Sequence, residues 1–238
     1  MAHAIQQQLF PASLRLRGFD LGGASYPAQA TGGDYFDFIP LGDGRLGIVI
    51  GDVSGHGLGP ALLMASTRAY LRVLARTHTN VSDILAIANR VLADDLGTSH
   101  FVTLSFAVLD PRTRALEYAS AGHPTGYVLD AAGEVKASLP STACPLGFLP
   151  EEQFPPGEGL TLEPGDLVLF LTDGVVEARA PDGTVFGNSR ALDIVRLYRA
   201  DPGQRIVENL YHAVRAFCHN RAPVDDITAV VTKVAPAD

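Results

Sequence analysis

Residues 32–57 read Gly-Gly-Asp-Tyr-Phe-Asp-Phe-Ile-Pro-Leu-Gly-Asp-Gly-Arg-Leu-Gly-Ile-Val-Ile-Gly-Asp-Val-Ser-Gly-His-Gly. The middle of this stretch predicts a β-hairpin. Tyr35 to Leu41 and Arg45 to Ile50 are apolar and β-prone, and Asp43-Gly44 between them is a strong turn signal, because Gly takes positive φ without penalty. Folding the chain back there brings Asp34 and Asp52, almost equally far from the turn, side by side. Two carboxylates that close repel. Either one keeps its proton or a positive charge sits between them. No Lys or Arg adjoins either residue in sequence. A divalent cation is the simplest counter-charge, and an all-oxygen site suits Mg²⁺ or Mn²⁺.

Upstream, residues 3–9 predict a short helix with Ile5 and Leu9 on one face, stopped by Pro11. Phe19 to Ser25 predicts a strand. Downstream, a glycine-rich turn leads to Pro60, which suits the first turn of a helix. The helix expected over Ala61–Ala75 carries Leu62, Ala65, Ala69 and Val73 as its apolar stripe. A second is expected over Val81–Leu96, with Ser82 as its cap. Strands follow at Phe101–Leu109, Ala115–Ala121, Gly126–Leu129 and Leu160–Leu162. Leu167–Leu171 is apolar throughout, as in a strand buried on both faces. Ala191–Tyr198 and Gln204–His219 predict helices, and Val224–Val234 a last strand opened by Asp225 and Asp226. The order is strands, helices, strands, helices, strand. Most strand connections are short, so the sheets should be largely antiparallel. The strands hold too many apolar residues for a sheet wet on one side. The expected fold is α+β: a four-layer α-β-β-α sandwich of two largely antiparallel sheets flanked by helices.

The chain has 238 residues, of which 47% are hydrophobic, enough for one large domain with its own core. A formal net charge of -8 argues against nucleic acid or an anionic membrane as a partner. No apolar run approaches a membrane span, and the N-terminus has no signal-peptide core, so the expected location is the cytoplasm. Cys144 and Cys218 suit structural thiols in a reducing compartment.

Four acidic sites stand at strand ends: Asp34, Asp52, Asp173 in Leu-Thr-Asp-Gly, and the pair Asp225-Asp226. In one sandwich they would meet at one rim, and such a cluster needs metal to neutralise it. Two divalent ions there would clamp a phosphate ester and acidify a bridging water.

Five motifs occur in order: Gly-Gly-Asp-Tyr-Phe-Asp, Gly-Asp-Val-Ser-Gly-His-Gly, Ser-Ala-Gly-His-Pro, Leu-Thr-Asp-Gly-Val-Val-Glu-Ala and Asp-Asp-Ile-Thr. Together they resemble the bacterial branch of the metal-dependent PP2C-like serine/threonine phosphatases, which includes the sporulation phosphatase and the stress-response phosphatases that act on anti-anti-sigma factors. The resemblance covers nearly the whole chain and implies the same sandwich as a single domain over residues 1–238. It implies hydrolysis of phosphoserine or phosphothreonine on an anti-anti-sigma (STAS-type) or related signalling protein, by attack of a water bridging two Mn²⁺ or Mg²⁺ ions. Carried over residue by residue, Asp52 matches the carboxylate bridging both metals, the Val53 carbonyl a further contact to one of them, and Asp34 the acidic ligand that precedes Asp52. Asp34 and Asp52 would act in catalysis through the metal-bound water. Asp173 and Asp225 match the remaining ligands, Asp225 being preferred to Asp226 as the first residue of its motif.

The chain departs from animal-type members of this class. Residues 25–33 lack their phosphate-binding Arg, and Ser54 stands where they carry a His. His56 is expected to shape its turn, His123 to be structural, and Asp37, on the opposite face of its strand from Asp34, to be a secondary hydrogen-bonder. Residues 1–11 resemble the segment that joins such domains to an upstream sensor or linker, and are expected to be a regulatory helix through which a sensor or activator acts. Two other readings of the same site are a pseudophosphatase that binds a phosphoprotein without turnover and a hydrolase of small phosphoesters.

Overall fold

The computed structural model describes residues 2–11, 14–97 and 99–235. The 35–50 region folds as expected: β2 (Tyr35–Pro40) and β3 (Leu46–Val53) pair antiparallel, Tyr35 opposite Gly51 and Pro40 opposite Leu46. Gly44 takes φ 86° at the turn, and the Leu41 N–H donates to Arg45 O at 2.8 Å. β3 pairs on with β4 (Val102–Leu109), β4 with β5 (Ala115–Ala121), and β5 with β8 (Leu160–Thr161), giving the sheet β2-β3-β4-β5-β8. The second sheet runs β1-β10-β9-β6-β7, from β1 (Phe19–Tyr26), β10 (Ile227–Val234), β9 (Leu167–Leu171), β6 (Gly126–Leu129) and β7 (Val135–Leu139). All named pairings in both sheets are antiparallel.

Strand alternation sorts the side chains into three apolar layers. Phe36, Phe38, Ile48 and Ile50 face Val128, Val168, Phe170 and Val230 between the sheets. Tyr35, Ile39, Val49 and Phe106 face the other way, onto α2 (Leu58–Thr77) and α3 (Val81–Leu96). On the far side Leu167, Leu169 and Leu171 pack under α5 (Gly187–Leu197) and α6 (Gly203–Phe217). The layers are therefore α-β-β-α. Two short helices remain, α1 (Ala2–Gln7) and α4 (Asp173–Val176).

Several local expectations need correction. On α2 the expected stripe is inverted. Leu62 and Val73 are each 62% exposed, whereas Ala61, Met64, Thr67, Leu71 and Ala75 are buried. The reason is electrostatic: Asp37 is fully buried on β2, and α2 must turn Arg68 and Arg72 toward it. Arg72 donates to both Asp37 oxygens at 2.6 and 2.7 Å, Tyr35 Oη donates at 2.7 Å, and Arg68 Nε lies 3.9 Å away. A buried carboxylate without such partners would cost several kcal/mol, of order 3–5. Asp37 is thus the anchor of α2 rather than a secondary hydrogen-bonder. The cap of α3 is Asn80, whose Oδ1 accepts from the Ser82 and Asp83 N–H groups, not Ser82. α1 ends at Gln7, and β7 is a strand on which the sequence sets no expectation.

Candidate active site

Extending the β2–β3 register one step beyond Tyr35–Gly51 sets Asp34 opposite Asp52, and the Val53 N–H donates back to Gly33 O at 3.3 Å. On the other sheet β9 runs out into Thr172 and Asp173, beside the start of β10. Thr172 N donates to Thr228 O at 3.1 Å, and Thr172 Oγ1 donates to Asp34 Oδ2 at 2.9 Å. That last bond ties the two sheets together at one rim. Asp34, Asp52, Asp173 and Asp225 are brought to this rim, and Asp226 with them.

Their electrostatics record the crowding. Burial, then the neighbouring Asp52 charge, push Asp34 well above the usual carboxylate range. Asp52 is pushed up to about 7, by burial first and then by Asp173, Asp225 and Asp226. Asp173 is raised by burial, then by Asp225 and Glu177. This is the response of carboxylates that lack a counter-ion.

Asp225 and Asp226 divide the work. Asp226 is buried and committed to backbone: Oδ1 accepts from Ala28 N at 2.8 Å and Oδ2 from Asp34 N at 3.4 Å. A side chain at Gly32 would collide with the Asp226 carboxylate, and one at Gly174 with the Asp226 carbonyl. Both glycines are therefore required by close approach. Asp225 is exposed, and among the described residues its Oδ1 accepts only from Asp226 N, at 2.9 Å. It is the freer of the two to take an ion.

Three observations test whether divalent cations fit. Asp173 Oδ1 is buried with no hydrogen-bond partner. A Cβ on Gly33 would meet Val53 O at 2.6 Å and Asp52 Oδ1 at 3.2 Å, so the glycine leaves open a cradle faced by those two oxygens. The donors are all oxygens, as hard cations prefer. Among the described residues no three Asp, Glu, His or Cys side chains are drawn together tightly enough to enclose an ion unaided. The fit therefore rests on the three observations above. The residues fit the group.

Other expected residues fall outside the acidic set. His56 is exposed, and its Nδ1 lies 3.1 Å from Gln29 Nε2, bridging the glycine turn to the loop before β2. His123 is buried, with Nδ1 3.0 Å from Thr103 Oγ1, and burial pushes it down to about 3, so it is neutral. Thr103 pairs with Asp52 across β3–β4, so His123 lies behind the rim. Cys144 and Cys218 are free thiols.

Two contributors lie inside stretches that the sequence marks, the Leu-Thr-Asp-Gly motif and the 1–11 segment, without being singled out there. Thr172 is one. The other is Gln6 of α1, whose amide clamps the Gly32 peptide: Nε2 donates to Gly32 O at 2.7 Å, and Gly32 N donates to Oε1 at 3.1 Å. Expectation placed the docking of α1 on Ile5 and Leu9. Leu9 does pack on the α2–α3 core, but Ile5 is 54% exposed and Gln6 is buried.

Two face-to-face antiparallel sheets between helical layers are the architecture of the PP2C fold. The SiaA-PP2C domain of Pseudomonas aeruginosa superimposes with TM-score 0.84 over 98% of this chain and 94% of that one, at 22% identity. The chain belongs to the stage II sporulation protein E (SpoIIE) family, whose model matches residues 42–235. It is 32% identical over 217 residues to protein IcfG of Synechocystis, covering 79% of this chain and 34% of the relative. It is 26% identical to phosphoserine phosphatase RsbU of Bacillus subtilis, over 90% of this chain and 63% of that protein. The chain thus spans about a third of one curated relative and under two thirds of the other. Among the described residues no helix is long and apolar enough to cross a membrane.

Proposed function

We propose that this chain is a metal-dependent phosphoprotein phosphatase acting on phosphoserine or phosphothreonine. The observation that carries the reading is the rim itself: Asp34, Asp52 and Asp173 are brought together from both sheets, and among the described residues none of them pairs with a Lys or Arg side chain, an arrangement that suits bound metal. Asp52, Asp34, Asp173, Asp225 and the Val53 carbonyl would hold two divalent ions, Mn²⁺ or Mg²⁺. When bound, these supply counter-charge, polarise the phosphoryl oxygens and acidify water for attack on phosphorus. The chain's own part is positioning. Asp226 and Gln6 hold the Gly32–Asp34 segment from two sides, and Thr172 fixes the Asp34 carboxylate.

The phosphoserine class follows the relative named phosphoserine phosphatase RsbU. A phosphorylated STAS-type signalling protein is the proposed substrate, with an upstream sensor or activator acting through residues 1–11. The test sets a phosphoserine peptide beside a nucleotide, with Mn²⁺ and with EDTA. We expect turnover of the peptide only, abolished by EDTA and unchanged in Cys144→Ser. Equal turnover in excess chelator would overturn the reading. Binding of phosphopeptide without turnover would favour a pseudophosphatase.

A further inference from the structure

A pocket of about 360 Å³ opens beside the acidic rim, sharing Asp225 and Gly174 with it. Its floor includes Val214 and Ile227, and Val224 at its edge is 99% exposed. Three arginines line it: Arg179, Arg215 and Arg221. Glu177 and Asp225 line it as well, so the pocket carries a small positive excess within a chain of net charge -8.

These guanidinium groups do not serve as counter-ions for the rim. Among the described residues none of the three forms an ion pair with a carboxylate. Arg179 donates to Gly183 O at 3.3 Å and Arg215 to Asn220 O at 3.0 Å, while the Arg221 side chain donates to nothing described. Three cations with spare donors above an apolar floor match a ligand that is apolar at its tip and anionic at its edge.

We infer that this pocket is a specificity site for the chain segment flanking the phosphoserine, and that it selects an apolar residue accompanied by Asp or Glu. The inference rests on the phosphatase reading for the word phosphoserine, but the pocket's charge and shape stand apart from it. Its place next to Asp225 lets one substrate chain reach the rim and the pocket together. A flank rich in Lys would meet three guanidinium groups against the two carboxylates Glu177 and Asp225 and be disfavoured, which is how charge supplies specificity.

The test uses the full chain with Mn²⁺ and three substrates: p-nitrophenyl phosphate, a phosphoserine peptide flanked by Leu and Glu, and the same peptide flanked by Gly and Lys. Two or three partly exposed charge pairs should give the acidic peptide an advantage of about 10-fold in kcat/KM. Arg179→Glu combined with Arg221→Glu should abolish or invert that preference. Turnover of p-nitrophenyl phosphate, read at saturating Mn²⁺ because the pocket shares Asp225 with the rim, should stay near the parent's, since among the described residues neither arginine pairs with a rim carboxylate. Arg179→Lys with Arg221→Lys should keep the sign of the preference. Equal kcat/KM for the two peptides in the parent, or a preference untouched by the double charge reversal, overturns the inference. If the parent hydrolyses none of the three, it is the phosphatase reading that fails. Fluorescence anisotropy of the two peptides then still measures the pocket: about 10-fold tighter binding of the acidic peptide, lost on charge reversal, supports it, and equal binding sinks it.

Discussion

The two halves of the rim are built differently. The half contributed by β2 and β3 is buried and braced: Asp34 is 2% exposed, bonded by Thr172 and held through its loop by Asp226 and Gln6. The half contributed by β9 and β10 is more open. Asp173 is half-buried with one oxygen unpartnered, and Asp225 is exposed. A rigid, strongly repelling pair faces a looser one. In the proposed site the first half therefore sets where metal binds, and the second half governs how readily an ion comes and goes. Preorganised carboxylates cost little reorganisation on binding, whereas exposed ones exchange with water.

The largest effect separating the halves should come from Asp52→Asn. It removes charge from the residue assigned to both ions, and kcat should fall by about 10³ or more. Without metal the variant should be as stable as the parent or more so, since repulsion with Asp34 is relieved. Asp225→Asn should instead raise the Mn²⁺ concentration needed for half-maximal activity, by about 10–100-fold, and let kcat recover at saturation. Steady-state kinetics across a Mn²⁺ titration reads both numbers. If the two variants behave alike, the halves do not differ in the way proposed.

A second effect is thermodynamic. The pKa of Asp52 is about 7 in the folded protein against an ordinary value of 3.8, and those of Asp34 and Asp173 are raised as well. The folded state therefore binds protons that the unfolded chain has released. The stability these protons provide is full below about pH 4 and is lost as pH rises to about 7. The Tm of the metal-free protein should fall over that window. Mn²⁺ at 100 times its Kd adds about 2.7 kcal/mol, or roughly 5–10 °C for a domain this size, and should flatten the decline. Calorimetry in EDTA and in Mn²⁺ at several pH values checks the sign. A metal-free profile that is flat, or that rises with pH, contradicts the crowded-carboxylate account.

The braced half was the more legible in sequence, because it hangs on a hairpin. The β-prone runs Tyr35–Leu41 and Arg45–Ile50 and the Asp43-Gly44 turn between them settle register locally, and register carries Asp34 to Asp52. The sandwich followed from strand order and short connections. What could not be seen depends on partners distant in sequence. The phase of α2 is set by Asp37, a buried charge 35 positions before Arg72, so an apolarity count chose the outward face. The strand β7 has mostly exposed residues and no clean alternation. Gln6 lies in the 1–11 segment that resembles a family linker, but its role is hidden, because an amide that clamps one peptide group looks like any surface glutamine until its partner, Gly32, is known.

Gln6 also gives the smallest and most specific test of the braced half. Its two hydrogen bonds hold the peptide of Gly32, two residues before Asp34, and Asp226 presses on the same glycine from the other side. Gln6→Leu keeps the size of the side chain but leaves the Gly32 N–H and carbonyl without partners in a buried place, which costs about 1–3 kcal/mol for an unsatisfied group. The loop should then shift, and the loss should appear as about 10-fold weaker apparent Mn²⁺ affinity, at the lower end for residues that orient metal ligands from outside. Ile5→Ala removes an exposed side chain from the same helix and should leave both affinity and Tm unchanged within error. Leu9→Ala, which packs on the α2–α3 core, should lower Tm with little change in metal affinity. Measured together, the three variants separate the routes by which α1 can reach the rim. A loss of Mn²⁺ affinity confined to Gln6→Leu places the coupling in the Gly32 clamp. An equal loss in Leu9→Ala places it in the packing of α2, and no loss in any variant leaves α1 without influence on the site.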